Sequence, residues 1–316
     1  MKILITRKNI LTAEQLKNLE KNKIEVDTID QKDFVEYQYE QNVENYDVLV
    51  GGMDLENLNY ERFKSLKVIH TISAGYDYLS MEMLRKNNIM LLNASGVYSV
   101  PIAEWVVGLI LLNYKNFTTF YDNKQHKVWE QTSSLKELTN KKVLIFGTGS
   151  IGKEISKRLK PFDCDIDGVN SNGRSVDEFE KCYNLDTAKQ VLKEYDILVF
   201  ALPSNKHTKE YVNTDFLKNL SENVILINVG RGDLVNEADM VDFLKAHQEV
   251  KVFLDVTNIE PLPQTSELWT LENSFVTPHN SFASDYYKVR LQNLIFNNLI
   301  NLKNRKQVIN KIEVNE

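Results

Sequence analysis

Cysteine is scarce: Cys164 and Cys182 are the two in 316 residues, with no second pair to make a metal knuckle. That argues against a disulfide framework and makes the cytoplasm the default compartment. Positive charge is not in excess either. The formal charge is -6, so nothing in the balance supports a nucleic-acid or anionic-membrane partner. Long apolar runs are missing. Residues 102–112 are apolar but contain Glu104 and are too short to span a bilayer. The N-terminal MKILITRKN has no extended apolar region followed by a cleavage-like site. Histidines and carboxylates are scattered, without metal-ligand spacing. What remains is a chain 42% apolar, rich in surface-type asparagine, and long enough for two ordinary domains.

The most informative stretch is KKVLIFGTGSIGKEISKRLK, residues 141–160. Residues 143–146 read as a buried parallel strand. Gly147, Gly149 and Gly152 follow as G-x-G-x-x-G, with Thr148, Ser150 and Ile151 between them. Ile151, Ile155 and Leu159 then fall on one helical face. Strand, glycine turn and helix in this order predict a dinucleotide site. Gly147 permits the tight turn, Gly149 lets the backbone approach a pyrophosphate, and Gly152 lets helix and strand pack closely. The helix N-terminus offers free N–H groups and a positive dipole end.

The rest of the chain extends this pattern. Residues 2–6, 46–50, 66–69 and 89–92 read as short buried strands. Helical segments alternate with them, one capped by Thr12 with Gln15 in the reciprocal position and one over residues 79–85. The first 95 residues therefore form a small parallel α/β domain. Pro101 opens an apolar helix through residue 112. Residues 114–140 are polar, with Trp129 as an anchor, and are a candidate arm or subunit contact; packing within the chain is an equally plain alternative. Residues 165–169, 197–201, 224–229 and 252–256 are further strands, with a helix at 236–245 and a last one at 290–303. Repeated β–α order predicts a doubly wound parallel sheet, with ligand-binding loops at the C-terminal ends of its strands.

These motifs resemble the D-isomer-specific 2-hydroxyacid dehydrogenase family over nearly the whole chain. The resemblance rests on SAGYD (73–77), NASG (93–96), PIAEW (101–105), GTGSIG (147–152) and ALPSNKHT (201–208). It continues through INVGRGDLVNE (227–237), LDVTNIEPLPQTSELW (254–269) and TPHNS (277–281). It implies an α/β protein of two Rossmann-like domains. Residues 99–282 would be the NAD(P)-binding domain, and residues 1–98 and 283–316 a smaller, flavodoxin-like substrate domain. It also implies a homodimer, and hydride transfer between a nicotinamide and C2 of a small 2-oxo or D-2-hydroxy acid. Glyoxylate, hydroxypyruvate, pyruvate and larger 2-oxo acids all remain open, with Tyr76 and Tyr98 as candidates to trim the pocket. A dinucleotide-responsive corepressor-like protein is the alternative of a different class. Formate dehydrogenation fits less well, because Glu260 stands where that chemistry commonly uses glutamine.

By the same resemblance, His279 is the acid/base and Glu260 its hydrogen-bonding carboxylate. Arg231 binds the substrate carboxylate and polarises the reacting carbonyl. Ala74 and Gly75 offer backbone N–H groups to the same carboxylate, and Asp255 accepts a bond from the cofactor amide or Arg231, with a strand-end capping role as the alternative. The cofactor is expected to meet the glycine loop, Ala201, Leu202, Pro203, Val229, Gly230, Asp255 and His279. His70, His126, His207 and His247 have no comparable setting, and His207 reads as a residue of the cofactor loop.

Nicotinamide selectivity should be written after the second nucleotide-domain strand, in DIDGVNSNGR (165–174). Asn170 stands where NAD-selective relatives often carry aspartate. It does not repel a 2′-phosphate, and Ser171, Asn172 and Arg174 could bind one. The pattern favours NADP over NAD; a register that used Asp167 instead would reverse the preference.

Overall fold

Two sheets carry the chain in the computed structural model, which describes residues 1–313. Each belongs to its own unit: Met1–Tyr98 with the chain from Ser284, and Ser99–Ala283.

The first unit begins β1 (Lys2–Ile5), α1 (Ala13–Lys21), β2 (Glu25–Thr28), α2 (Phe34–Glu40) and β3 (Val48–Gly51). β4 (Val68–Thr71), α3 (Met81–Lys86) and β5 (Met90–Leu92) follow. Ile3, Leu4, Ile5, Leu49, Val50 and Ile69 are closed to solvent, as strands covered on both faces must be. Thr12 and Gln15 make the reciprocal cap of α1: Gln15 N–H donates to Thr12 Oγ1 at 3.1 Å, and Thr12 N–H to Gln15 Oε1 at 3.0 Å. β3 and β4 each start two residues later than the apolar runs suggest. Tyr46 and Leu66 are core residues, but their N–H groups close turns on Val43 and Phe63. β2 reads EVDT, partly exposed at the sheet edge, and its charges deter pairing by another chain.

The second unit opens with α4 (Ser99–Tyr114) and α5 (Phe117–His126). β6 (Lys142–Phe146), α6 (Ser150–Leu159), β7 (Asp165–Val169), β8 (Cys182–Tyr183) and α7 (Leu185–Ala188) follow. Then come β9 (Ile197–Phe200), α8 (Thr214–Leu217), β10 (Ile225–Asn228), α9 (Glu237–Ala246), β11 (Lys251–Leu254) and β12 (Ser274–Val276). All seven strands are parallel, in the order β12-β11-β10-β9-β6-β7-β8. Counted from β6, that is the doubly wound 3-2-1-4-5-6 pattern with one strand added. The order reverses between β6 and β9, and at such a reversal the flanking loops diverge and leave a crevice. Phe146 and Phe200 stack below it with centroids 4.6 Å apart, and Phe216 meets both edge-on. α4 is largely apolar and packs on α6, where Arg158 Nη2 lies 3.5 Å from the exposed Glu104 of α4.

The chain from Ser284 rejoins the first unit as α10 (Tyr287–Lys303) and β13 (Lys311–Ile312). β13 pairs antiparallel with β5, completing the order β13-β5-β4-β3-β1-β2. The return is pinned in the core. His70 is fully buried on β4; its Nδ1 donates to Thr71 O at 2.9 Å, and its Nε2 takes the Asn298 amide of α10 at 3.1 Å. Burial pushes the imidazole pKa down to about 4, so it is neutral in the fold. No helix among the described residues is long and apolar enough to cross a membrane.

Candidate active site

The glycine turn after β6 has the contacts its spacing implies. Gly147 sits at φ +109°, and a Cβ there would lie 2.6 Å from Ala201 O on the neighbouring strand end. A Cβ on Gly152 would meet Gly147 O at 1.9 Å. Beside Gly149 there is open space. The turn therefore needs glycine twice for packing and leaves its middle glycine facing a void at the N-terminus of α6.

That void is part of a cleft of about 660 Å³ at the C-terminal ends of β6, β7 and β9. Gly147, Thr148, Gly149, Asn170, Ser171, Arg174, Leu202 and Pro203 line it, as the sequence suggests. Ser150, Ile151, Gly152, Asn172, Ala201, Val229, Gly230, Asp255 and His279 do not form its wall. His207 does, together with residues the sequence reading passed over: Asn184, Asp186 and Lys189 around α7, and Asn205 and Thr208 after β9. The available signal was Asn184-x-x-Thr187, a capping box that starts α7 directly after β8. No group of three or more metal-ligating side chains exists among the described residues.

Asp167, the alternative selectivity residue, lies within β7 and is used internally. Tyr195 Oη donates to its Oδ2 at 2.5 Å, and Lys181 N–H to its Oδ1 at 2.9 Å. Asn170, one residue beyond β7, is the polar side chain at the cleft.

Arg231 stands in a turn pressed between two other loops. A Cβ on Gly230 would lie 2.7 Å from Leu202 O, and one on Gly232 only 1.9 Å from Thr257 O. Asn228 fastens the turn, its side-chain oxygen accepting from Gly230 N–H at 3.1 Å and its amide donating to Arg231 O at 2.8 Å. Ser204 Oγ donates to Asp233 Oδ2 at 2.5 Å, tying the turn to the loop after β9. The Arg231 Nη1 donates to Gly230 O at 2.8 Å, which bends the guanidinium back over its own turn.

His279 and Glu260 meet. His279 Nδ1 is 2.8 Å from Glu260 Oε2, while Glu260 Oε1 accepts Thr257 N–H at 3.1 Å. The carboxylate can only accept, so Nδ1 carries the hydrogen and Nε2 is left for another partner. Both side chains are about half exposed. His279 itself has a left-handed backbone, φ 49°, uncommon outside glycine, asparagine and aspartate.

Asp255 explains how that conformation is held. It is 1% exposed at the end of β11, and its backbone oxygen accepts His279 N–H at 2.8 Å. Its Oδ1 accepts Thr277 Oγ1 at 2.7 Å and Asn280 N–H at 2.9 Å, and its Oδ2 accepts Ser281 N–H at 3.0 Å. The sequence left Asp255 open between a contact to the cofactor amide or Arg231 and a strand-end cap; these bonds have the character of the cap, made to the segment that carries His279.

In the first unit, Ala74 and Gly75 follow β4. The carbonyls of Ser73, Ala74 and Gly75 all accept hydrogen bonds, from Thr71 Oγ1, Asn93 Nδ2 and Ser73 Oγ. No hydrogen bond among the described residues uses the N–H of Ala74 or Gly75. The turn thus has its acceptors tied back.

A doubly wound parallel sheet, a glycine turn with a void at its helix N-terminus, and a carboxylate-backed histidine define the class of nicotinamide-dinucleotide oxidoreductases. The chain belongs to the D-isomer-specific 2-hydroxyacid dehydrogenase family: the model of that family's NAD-binding domain matches residues 107–281, over half the chain. The human glyoxylate reductase/hydroxypyruvate reductase is 30% identical over 243 residues, 75% of this chain and 74% of the human one. A D-isomer-specific 2-hydroxyacid dehydrogenase family protein from Aeromonas salmonicida superposes with a TM-score of 0.83 at 24% identity, covering 99% of each chain. The NADPH-dependent glyoxylate/hydroxypyruvate reductase of Sinorhizobium meliloti, solved with NADP and sulfate, gives 0.79 at 23% identity, over 99% of this chain and 98% of that one.

Proposed function

We propose that the chain is an NAD(P)-dependent reductase of small 2-oxo acids, or a D-2-hydroxy acid dehydrogenase in the opposite direction, with NADP preferred. The observation that carries this reading is the His279–Glu260 pair at 2.8 Å, whose Nε2 is left for substrate. The cradle suits a dinucleotide: open space beside Gly149, a helix N-terminus, and Arg174 on the cleft wall. When bound, the nicotinamide supplies a hydride to C2 of the acid.

The chain's own residues manage the rest. His279 Nε2 donates a proton to the carbonyl oxygen during reduction and takes it from the hydroxyl during oxidation. Glu260 fixes the ring's tautomer and orientation. The Arg231 fork holds the carboxylate and draws charge onto the reacting oxygen. Ala74 and Gly75 N–H groups are read as further donors for a carboxylate.

We read residues 1–98 and 283–316 as the substrate domain and residues 99–282 as the nucleotide domain. The strand order 2-1-3-4-5 in the first unit supports a flavodoxin-like description. We read the assembly as a cytoplasmic homodimer. The support is a largely apolar α4 and an arm beyond it whose Trp129 is 96% exposed. Steady-state rates over a matrix of NADPH and NADH against glyoxylate, hydroxypyruvate, pyruvate and longer 2-oxo acids test the reading. Turnover is expected with NADPH and a small acid; no turnover anywhere in the matrix overturns it.

A further inference from the structure

We propose that Asn170, although it lines the cleft, is a positioning residue: it builds loop 171–174, which carries Arg174, and does not read the ribose itself. This rests on the NADP reading above.

An asparagine side chain has two acceptor sites and two donor hydrogens. Here all four are taken. Its Oδ1 accepts Asn172 N–H at 3.4 Å and Arg174 N–H at 3.2 Å. Its Nδ2 donates to Arg174 O at 2.8 Å and to Thr148 Oγ1 at 3.3 Å. The residue is 7% exposed, and its own N–H is docked on Tyr183 O at 2.9 Å. No group of the side chain remains for a ribose hydroxyl or a phosphate. The amide joins the glycine turn, through Thr148, to both backbone groups of Arg174. Gly173, at φ +71°, closes the loop.

Asn172 works at the next level. Its Oδ1 accepts Arg174 N–H at 3.2 Å and Arg174 Nη1 at 3.3 Å. It is outside the cleft wall, whereas Ser171 and Arg174 are on it. The buried amide therefore holds the loop, the exposed amide holds the guanidinium, and Arg174 is left to meet the nucleotide. The guanidinium fork suits a phosphate monoester.

An aspartate at 170 would lose both donors and set a carboxylate oxygen against Arg174 O at the present 2.8 Å, in a site with little water. If position 170 touched the ribose, the same change should create an NADH enzyme. In the positioning account it opens the loop and weakens both cofactors together.

The test is nucleotide binding by fluorescence titration, with amide exchange of residues 171–174 in the full chain without nucleotide. Asn170→Asp is expected to speed exchange at Asn172 and Arg174. It should raise the Kd for NADPH and NADH alike, by about tenfold. Asn172→Ala, an exposed change that spares the buried amide, is expected to weaken NADPH about threefold and leave NADH unchanged. Asn170→Asp that tightens NADH, or leaves exchange at 171–174 as in the wild type, overturns the positioning role. A wild type that prefers NADH sinks the NADP reading instead, and the exchange measurement still decides how Asn170 acts on its loop.

Discussion

Two loops of the nucleotide unit hold exposed residues by opposite chemistry. Segment 277–281, with His279, hangs on Asp255, a buried carboxylate that only accepts: one hydroxyl and two N–H groups converge on it. Loop 171–174, with Arg174, hangs on Asn170, a buried amide that accepts twice and donates twice. The acceptor-only clamp places negative charge beneath a residue proposed to become a cation. The mixed clamp is neutral beneath a residue proposed to meet an anion. In both, the group facing solvent is positioned by a side chain that does not face it, so changing the clamp tests geometry separately from contact.

The largest effect is expected at the arginine turn. Arg231→Lys keeps the charge and loses the fork, and kcat/KM for the 2-oxo acid should fall about 10²- to 10³-fold with NADPH Kd unchanged. A fall of less than threefold would mean the fork is not what meets the substrate.

Next comes the third buried clamp, His70 in the other unit, where burial holds the pKa near 4 against about 6.5 in an unfolded chain. The folded pKa is depressed, so this stability is full above about pH 6.5 and is lost as pH falls toward 4, by up to about 3 kcal/mol. Denaturant melts at several pH values should show the loss. A His70→Gln variant whose stability keeps the same slope between pH 6.5 and 4 would assign that slope elsewhere.

Asp255→Asn puts a donor against donors in a dry site, a cost of about 1–3 kcal/mol. A clamp role predicts a lower kcat with unchanged NADPH Kd; a direct cofactor contact predicts a weaker Kd. Thr277→Val removes one of the three donors and should cost about 1 kcal/mol in kcat, with Thr277→Ser restoring it.

The apolar strands and the glycine turn were legible because their signal is local: β6, β9 and β10 are runs that bury both faces, and Gly147, Gly149 and Gly152 fix a short motif. β8 and β13 were not, since two residues carry no period, and β2 was hidden by the charges that protect an edge. Sequence residues 19 apart gave no evidence that His279 and Glu260 touch, and only the family resemblance suggested it. Asp255 was open between a ligand contact and a strand-end cap; its bonds go to Thr277, Asn280 and Ser281, partners 22 to 26 residues away that the tertiary fold sets. Thr277, two residues before His279, was the available hint.

The most direct measurement compares wild type and His279→Gln for NADPH Kd and for turnover of the best 2-oxo acid. The account predicts unchanged binding with turnover reduced about 10²- to 10⁴-fold. A variant that binds NADPH normally and reduces the acid at the wild-type rate would contradict it.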